Sequence, residues 1–248
     1  MAKEKVYFVA DIHLGLALND PEQREKRFVE LLSAIRPEDT LAVYLLGDIW
    51  DFWYEYRDVV PRCGARVVSR LIELVDKGVD VFFVEGNHDI WTFSFFEQVG
   101  IRKILQPYYT QIGGRTFCLG HGDGLGKTRP GYALMLKVFR SKVAQAIFST
   151  IHPTVAFRLA HGWSGSNRKT HKPYVFKDEQ EPLYRYAMEK ESLRHADVYV
   201  FGHYHVAVDL TLPSGSRFII LKDWIDGGSP VLEYDVSTGE LRCSDGLS

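Results

Sequence analysis

The sequence predicts a layered α/β fold. Short apolar runs of strand length alternate with amphipathic helices, and metal-type polar residues stand where those runs stop. The runs cover residues 6–10, 41–46, 79–84 and 198–201 and are rich in β-branched and aromatic side chains, as buried strands are. In layered α/β folds the rim where strands give way to loops is where sites form.

Taken in chain order, the first strand is followed by a helix over 21–36, with Phe28, Leu31, Leu32 and Ile35 turned inward. Residues 62–77 and 179–195 repeat that 3.6-residue period. Gly113-Gly114 joins strands 109–112 and 116–119 as a hairpin, Ser214-Gly215 marks a second, and Ser237-Thr238-Gly239 turns into the last strand. Between them, Tyr132, Met135, Leu136, Phe139, Val143, Ala146 and Ile147 fall on about one third of a helical circumference. One amphipathic helix is therefore expected there, broken at His152-Pro153, with Pro153 opening a second that runs through Ala160. No repeat or linker divides the chain, so residues 1–248 are expected to form one domain with a helical insertion at about 124–177.

Five fragments carry the chemistry: Asp11-Ile12-His13, Gly47-Asp48, Gly86-Asn87-His88-Asp89, Gly120-His121-Gly122-Asp123 and Gly202-His203-Tyr204-His205. Alone, each reads as an ordinary loop, turn or cap; the ordered set does not. Imidazole, carboxylate and one amide oxygen make a mixed N/O donor set suited to Mn²⁺, Fe²⁺ or Zn²⁺. A shared carboxylate can hold two such ions about 3.5–4 Å apart, where both polarise one phosphoryl oxygen. Asp48, in the middle of the order, is the expected bridge. One ion is expected on Asp11, His13, Asp48 and His205, the other on Asp48, Asn87, His121 and His203. The glycines before Asp48, Asn87, His121 and His203 are expected to let the chain turn tightly. His88 is a candidate proton donor, with Asp89 orienting its ring. His152, His161, His171 and His195 are assigned no metal.

The ordered motifs resemble the calcineurin-like metallophosphoesterase superfamily. The stretches 47–53, 86–91 and 121–126 look, more narrowly, like the UDP-2,3-diacylglucosamine hydrolase family. The resemblance implies a β-sandwich flanked by helices (αββα), two Mn²⁺ ions, and hydrolysis of a nucleotide-lipid to UMP and 2,3-diacylglucosamine 1-phosphate in lipid A biosynthesis. It also implies substrate contacts at Arg129, Tyr132, Ser164, Ser166, Asn167, Arg168 and Lys169. Two positions depart from the narrower pattern: His88 stands where many proteobacterial members carry Arg, and Arg129 where the family often has an acidic residue. A generic dinuclear phosphodiesterase or nuclease is the alternative.

Composition excludes other classes. Hydrophobic residues make up 46% and charged ones 25%, an average globular balance. Cys63, Cys118 and Cys243 are odd in number and lack CxxC spacing, which fits a reducing cytoplasm rather than a disulfide framework. No signal peptide is expected ahead of the first motif, and no run approaches the roughly 20 apolar residues of a membrane span. The net charge of −2 hides an asymmetry: residues 124–177 contain ten Lys or Arg and no Asp or Glu. With its apolar stripe, that segment suits an anionic membrane surface, reached peripherally from the cytoplasmic face of the inner membrane. Nucleic acid is not an expected partner, because single-strand stacking platforms are missing, and the sequence points to no protein partner.

Overall fold

The computed structural model describes residues 3–170 and 174–247, without the side chains of residues 161 and 163–170. Two sheets face each other. The first has the order β11-β10-β1-β2-β3-β4, with β1 (Lys5–Val9), β2 (Thr40–Leu46), β3 (Asp80–Val84), β4 (Arg102–Ile104), β10 (Pro230–Asp235) and β11 (Glu240–Asp245). The second has the order β5-β6-β7-β9-β8, with β5 (Tyr108–Ile112), β6 (Arg115–Leu119), β7 (Val198–Phe201), β8 (Val208–Thr211) and β9 (Arg217–Ile220). Strands β1 to β4 pair in parallel, as do β6, β7 and β9, while the β5–β6 and β8–β9 hairpins are antiparallel.

Both faces of each sheet are covered, which explains the nearly continuous apolar runs. Val6, Phe8, Tyr44 and Leu46 meet Phe117, Leu119, Val200 and Ile219 between the sheets, with Phe8 stacked on Phe117 at 5.6 Å between centroids. Outside the first sheet, Tyr7, Val9, Val43 and Phe83 pack against α1 (Pro21–Ala34) and α2 (Ala65–Asp76). Outside the second, Tyr199, Phe201 and Phe218 pack against α7 (Pro182–Leu193). The result is the αββα sandwich. Both α1 and α7 begin on a proline, and Asp20 caps α1 by accepting from the Gln23 N–H. A single turn, α3 (Phe95–Gln98), starts where the buried Glu55 carboxylate accepts the N–H groups of Phe93, Ser94 and Phe95.

The basic segment differs from expectation. Where one helix was read across 132–147, there are two, α4 (Pro130–Phe139) and α5 (Lys142–Ser149). The break falls at Ser141, which takes an extended backbone and caps α5 by accepting from the Ala144 N–H. The freed carbonyl of Phe139 is taken by the Trp91 indole N–H at 2.7 Å and by Gln145. The turn splits the apolar stripe. Leu136 is buried and Tyr132 and Phe139 pack beside it on Tyr54, Ile90 and Trp91, while Val143 is 70% and Ile147 65% exposed. Phe148 packs in their place, 4.5 Å from Trp91 and 4.9 Å from Tyr54. The third helix of the segment, α6 (Pro153–Thr170), runs ten residues beyond Ala160; Gly162 and Gly165, weak helix formers, are read through.

Candidate metal centre

All seven expected ligands stand on loops that leave β1, β2, β3, β6 and β7. The loops are tied across the strand ends by backbone bonds: Asp11 N–H to Gly47 O, His13 N–H to Asp48 O, and Gly202 N–H to His121 O. Two further bonds join the sheets through the ligands. His121 Nδ1 lies 2.9 Å from the Leu46 carbonyl, and His203 donates its N–H to Asp11 Oδ2 at 2.8 Å.

Asp11, His13, Asp48 and His205 each bring one ligand atom within 4.8 Å of the others. His205 Nε2 is 3.3 Å from His13 Nε2 and 3.4 Å from Asp11 Oδ1. Of the second expected set, His121 Nε2 is 3.4 Å from Asp48 Oδ2 and 3.4 Å from Asn87 Oδ1. The His203 ring stands edge-on to His121, 5.0 Å away. Asp11, His13, Asp48 and His121 are essentially buried, yet Asp11 Oδ1 accepts no hydrogen bond among the described residues. A buried, unsatisfied carboxylate oxygen surrounded by imidazole nitrogens is costly unless a cation completes it. The donor set therefore fits divalent metal binding.

Electrostatics point the same way. Burial opposes ionisation of Asp48, but the His121, His88 and His13 imidazoles hold its carboxyl well below the usual range. Burial and then the neighbouring His121 push His203 down to about 3, so its ring is neutral and free to ligate. Backbone conformation is spent here too. Asp11, His13, Asp48, His203 and His205 all have φ between +51° and +74°, the left-handed region that costs side-chain-bearing residues about 1–2 kcal/mol each.

The glycines act differently from expectation. Gly47 does turn, at φ +82°, but Gly86 and Gly202 do not require a left-handed backbone. They are small because something comes close: a Cβ on Gly86 would overlap Asp48 Oδ1, and one on Gly202 would overlap Asp11 Oδ2.

Asp89 is also corrected. Its two oxygens accept from the backbone N–H groups of Asp48, Ile49, Trp50 and Gly86, so it braces the loop carrying Asp48. Burial and the Asp48 charge push its carboxyl up to about 7. The carboxylate facing the His88 ring belongs to Asp51: His88 Nδ1 is 2.9 Å from the Asp51 carbonyl and 3.5 Å from Asp51 Oδ1. The same Oδ1 lies 3.5 Å from His13 Nδ1. Asp51 escaped notice although it stands three residues after Asp48 in a fragment already singled out. Asp223, whose Oδ2 is 3.1 Å from His205 Nδ1, obeys the rule that pointed to the candidate ligands, a polar residue just past an apolar strand, and that rule applied to β9 also points to it.

Of the expected substrate contacts, Tyr132 reaches the centre: its ring lies 6.3 Å from His203 and its buried hydroxyl has no partner among the described residues. Arg129 is exposed at the start of α4. Ser164, Ser166, Asn167, Arg168 and Lys169 fall on the backbone of α6 rather than a loop, and their side chains lie outside the described residues. Arg140, not assigned to the site by sequence, approaches it, with its guanidinium 3.6 Å from Asp123 Oδ2.

Residues 4–207 match the family model of the calcineurin-like phosphoesterases. The chain is 36% identical over 257 residues to the UDP-2,3-diacylglucosamine hydrolase of Porphyromonas gingivalis, covering 93% of this chain and 97% of that protein. It is 27% identical over 230 residues to the Shewanella piezotolerans protein of the same name, covering 91% and 92%. A Neisseria gonorrhoeae protein of that name is likewise 27% identical, covering 92% and 93%. With its buried His/Asp cluster on the rim of an αββα sandwich, the chain belongs to the calcineurin-like phosphoesterase family and is a metal-dependent hydrolase.

Proposed function

We propose that this enzyme hydrolyses the diphosphate of UDP-2,3-diacylglucosamine, giving UMP and 2,3-diacylglucosamine 1-phosphate, with two Mn²⁺ ions held as expected from the sequence. Kinship with relatives of that name supports a nucleotide-lipid substrate and a place in lipid A biosynthesis. The carrying observation is local: an aromatic and aliphatic cluster of Tyr54, Trp91, Leu136, Phe139 and Phe148 adjoins Tyr132, whose ring is 6.3 Å from the candidate ligand His203. Phosphoryl chemistry and an apolar cluster thus lie side by side, as a lipid carrying a diphosphate requires. In this reading α4, α5 and α6 form a cap over the acyl chains, in one domain with the sandwich.

Divalent ions in the cluster would polarise the phosphoryl oxygens and lower the pKa of a water. The chain's residues orient the rest. Water adds to the UMP-side phosphorus while the bond to the sugar phosphate oxygen breaks. A phosphate monoester leaves readily, so His88 serves chiefly to hydrogen-bond the developing charge. Asp51 holds its Nδ1 side, which leaves Nε2 for substrate. Arg129, Ser164, Ser166, Asn167, Arg168 and Lys169 are proposed diphosphate and sugar contacts, Arg forks and Lys point charges being suited to such an anion.

The test follows UMP release with Mn²⁺ from UDP-diacylglucosamine and from UDP-glucosamine lacking acyl chains. The acylated substrate should be favoured by on the order of 100-fold or more in kcat/KM, a fraction of what chains buried at about 0.8 kcal/mol per CH₂ can supply. Equal rates, or faster cleavage of bis-nitrophenyl phosphate, would make it a generic phosphodiesterase.

The basic cap is proposed to rest on the cytoplasmic face of the inner membrane. No helix among the described residues is long and apolar enough to cross it. Leu134, Val138, Val143 and Ile147 are exposed on α4 and α5, with Lys137, Lys142 and, on α6, Arg158 exposed among the same helices. Each cation near anionic lipid contributes about 1 kcal/mol. Changing Lys137, Lys142 and Arg158 to Gln should weaken binding to phosphatidylglycerol vesicles by on the order of 100-fold at low salt. Hydrolysis of detergent-solubilised substrate should be largely kept. Salt-independent binding, or none by the parent protein, would refute the electrostatic contact.

A further inference from the structure

We propose that Asp223 is a positioning residue for the metal ligand His205, and that through it the ion held by Asp11, His13 and His205 is the more tightly bound of two. The second half rests on the dinuclear reading above; the first does not.

Asp223 lies on the loop after β9 and is 6% exposed. Its Oδ1 accepts from the Ile225 N–H at 2.7 Å, and its Oδ2 faces His205 Nδ1 at 3.1 Å. The loop is fastened to the metal centre itself. Leu221 donates its N–H to the Phe201 carbonyl at the end of β7, and Trp224 donates its N–H to the carbonyl of Asp11. Arg27 from α1 donates to the Trp224 carbonyl at 3.1 Å, and the buried Trp224 ring packs edge-on against Phe28. The Asp223 carboxylate is therefore fixed relative to Asp11.

His205 needs such a partner. Its side chain is 28% exposed, against 2% or less for Asp11, His13 and Asp48, and its backbone sits at φ +57°. Packing alone holds this ring least. A proton on Nδ1, donated to Asp223, fixes the tautomer and leaves the Nε2 lone pair towards Asp11 Oδ1 and His13 Nε2.

The backing differs between the two ligand sets. His205 faces Asp223, and His13 faces Asp51 Oδ1 at 3.5 Å, so carboxylates stand behind both imidazoles of the first set. In the second set, His121 is backed by the neutral Leu46 carbonyl and a third donor is the Asn87 amide oxygen. A carboxylate behind an imidazole raises its basicity more than a carbonyl does. The first set should accordingly hold its ion more tightly.

The experiment titrates chelator-stripped protein with Mn²⁺, following bound metal by calorimetry and by electron paramagnetic resonance. The parent protein should fill two sites stepwise. Asp223→Ala should weaken the tighter step by on the order of 10–100-fold and leave the weaker step unchanged. Asp223→Asn keeps an oxygen for the Ile225 N–H but turns an amide NH2 donor, not an acceptor, towards His205 Nδ1, so it should fold like the parent and lose at least as much of the same affinity as Asp223→Ala. An unchanged tight step in both variants would overturn the positioning role, and a change confined to the weaker step would overturn the assignment to His205. A single Mn²⁺ per chain in the parent would overturn the dinuclear reading and the ranking. The role of Asp223 would then stand or fall on whether that one affinity drops in the variants.

Discussion

Asp48→Ala is expected to lose metal and turnover together while the sandwich still folds. Asp48 is the one side chain common to both expected ligand sets: Oδ2 lies 3.4 Å from His121 Nε2 and 3.8 Å from His13 Nε2. Its Oδ1 also accepts the His88 N–H at 2.9 Å, tying the loop after β3 to the loop after β2. Alanine removes the shared carboxylate and the tie, and leaves His121 without the carboxylate 3.4 Å from its Nε2. Bound metal should fall below one ion per chain, and kcat/KM by about 10³-fold or more, since polarisation of the phosphoryl group and activation of water are both lost. Breaking a buried charge cluster costs about 3–5 kcal/mol when one partner goes, but imidazoles can shed their protons, so folding should survive with a lowered Tm. Circular dichroism, metal analysis and UMP release on one preparation decide it. Near-parent rates with stoichiometric metal would refute the shared-carboxylate reading.

Most of the sandwich and of the candidate site was legible because both rest on one local pattern. An apolar run buried on both faces announces a strand, and a polar residue immediately after it announces the rim. That pattern pointed to all seven candidate ligands, and each stands on a loop leaving a strand. It also contained Asp223, overlooked because Asp-Trp after β9 carries no histidine to draw attention. What stayed hidden depends on more than period. The stripe from Tyr132 to Ile147 satisfies a single helix, and only the extended backbone at Ser141 together with the pull of Trp91 on the Phe139 carbonyl divides it. Nothing local says that Asp51 rather than Asp89 faces His88, since both lie near it in sequence or motif. The choice is made when Asp89 is consumed by four backbone N–H groups of its own and neighbouring loops. Left-handed backbone at five candidate ligands was equally invisible, because that conformation is read from glycine, and here it falls on Asp and His.

Gly202→Ala is expected to be nearly as damaging as loss of a ligand, although glycine binds nothing. Gly202 follows β7 directly and precedes His203 and His205, one ligand from each set. A Cβ there would overlap Asp11 Oδ2 and come within 2.7 Å of Ala10 Cβ. Asp11 cannot yield freely, because that same oxygen accepts the His203 N–H at 2.8 Å and Asp11 is wholly buried. The loop must therefore move out, carrying both histidines with it. A displacement of about 1 Å at a reacting centre can cost on the order of 100-fold in rate, and here two ligands move, so a loss of 100- to 1,000-fold is expected, with weaker binding of both ions. Gly215→Ala separates this from a general effect of adding a methyl group. Gly215 has φ +93° but nothing within 4 Å of the added Cβ, so that variant should lose roughly 1–2 kcal/mol of stability through backbone strain alone and keep its metal and activity. Parallel Mn²⁺ titrations and rates for the two variants would show it. If Gly202→Ala behaved like Gly215→Ala, close approach to Asp11 would not be what the glycine before His203 is for.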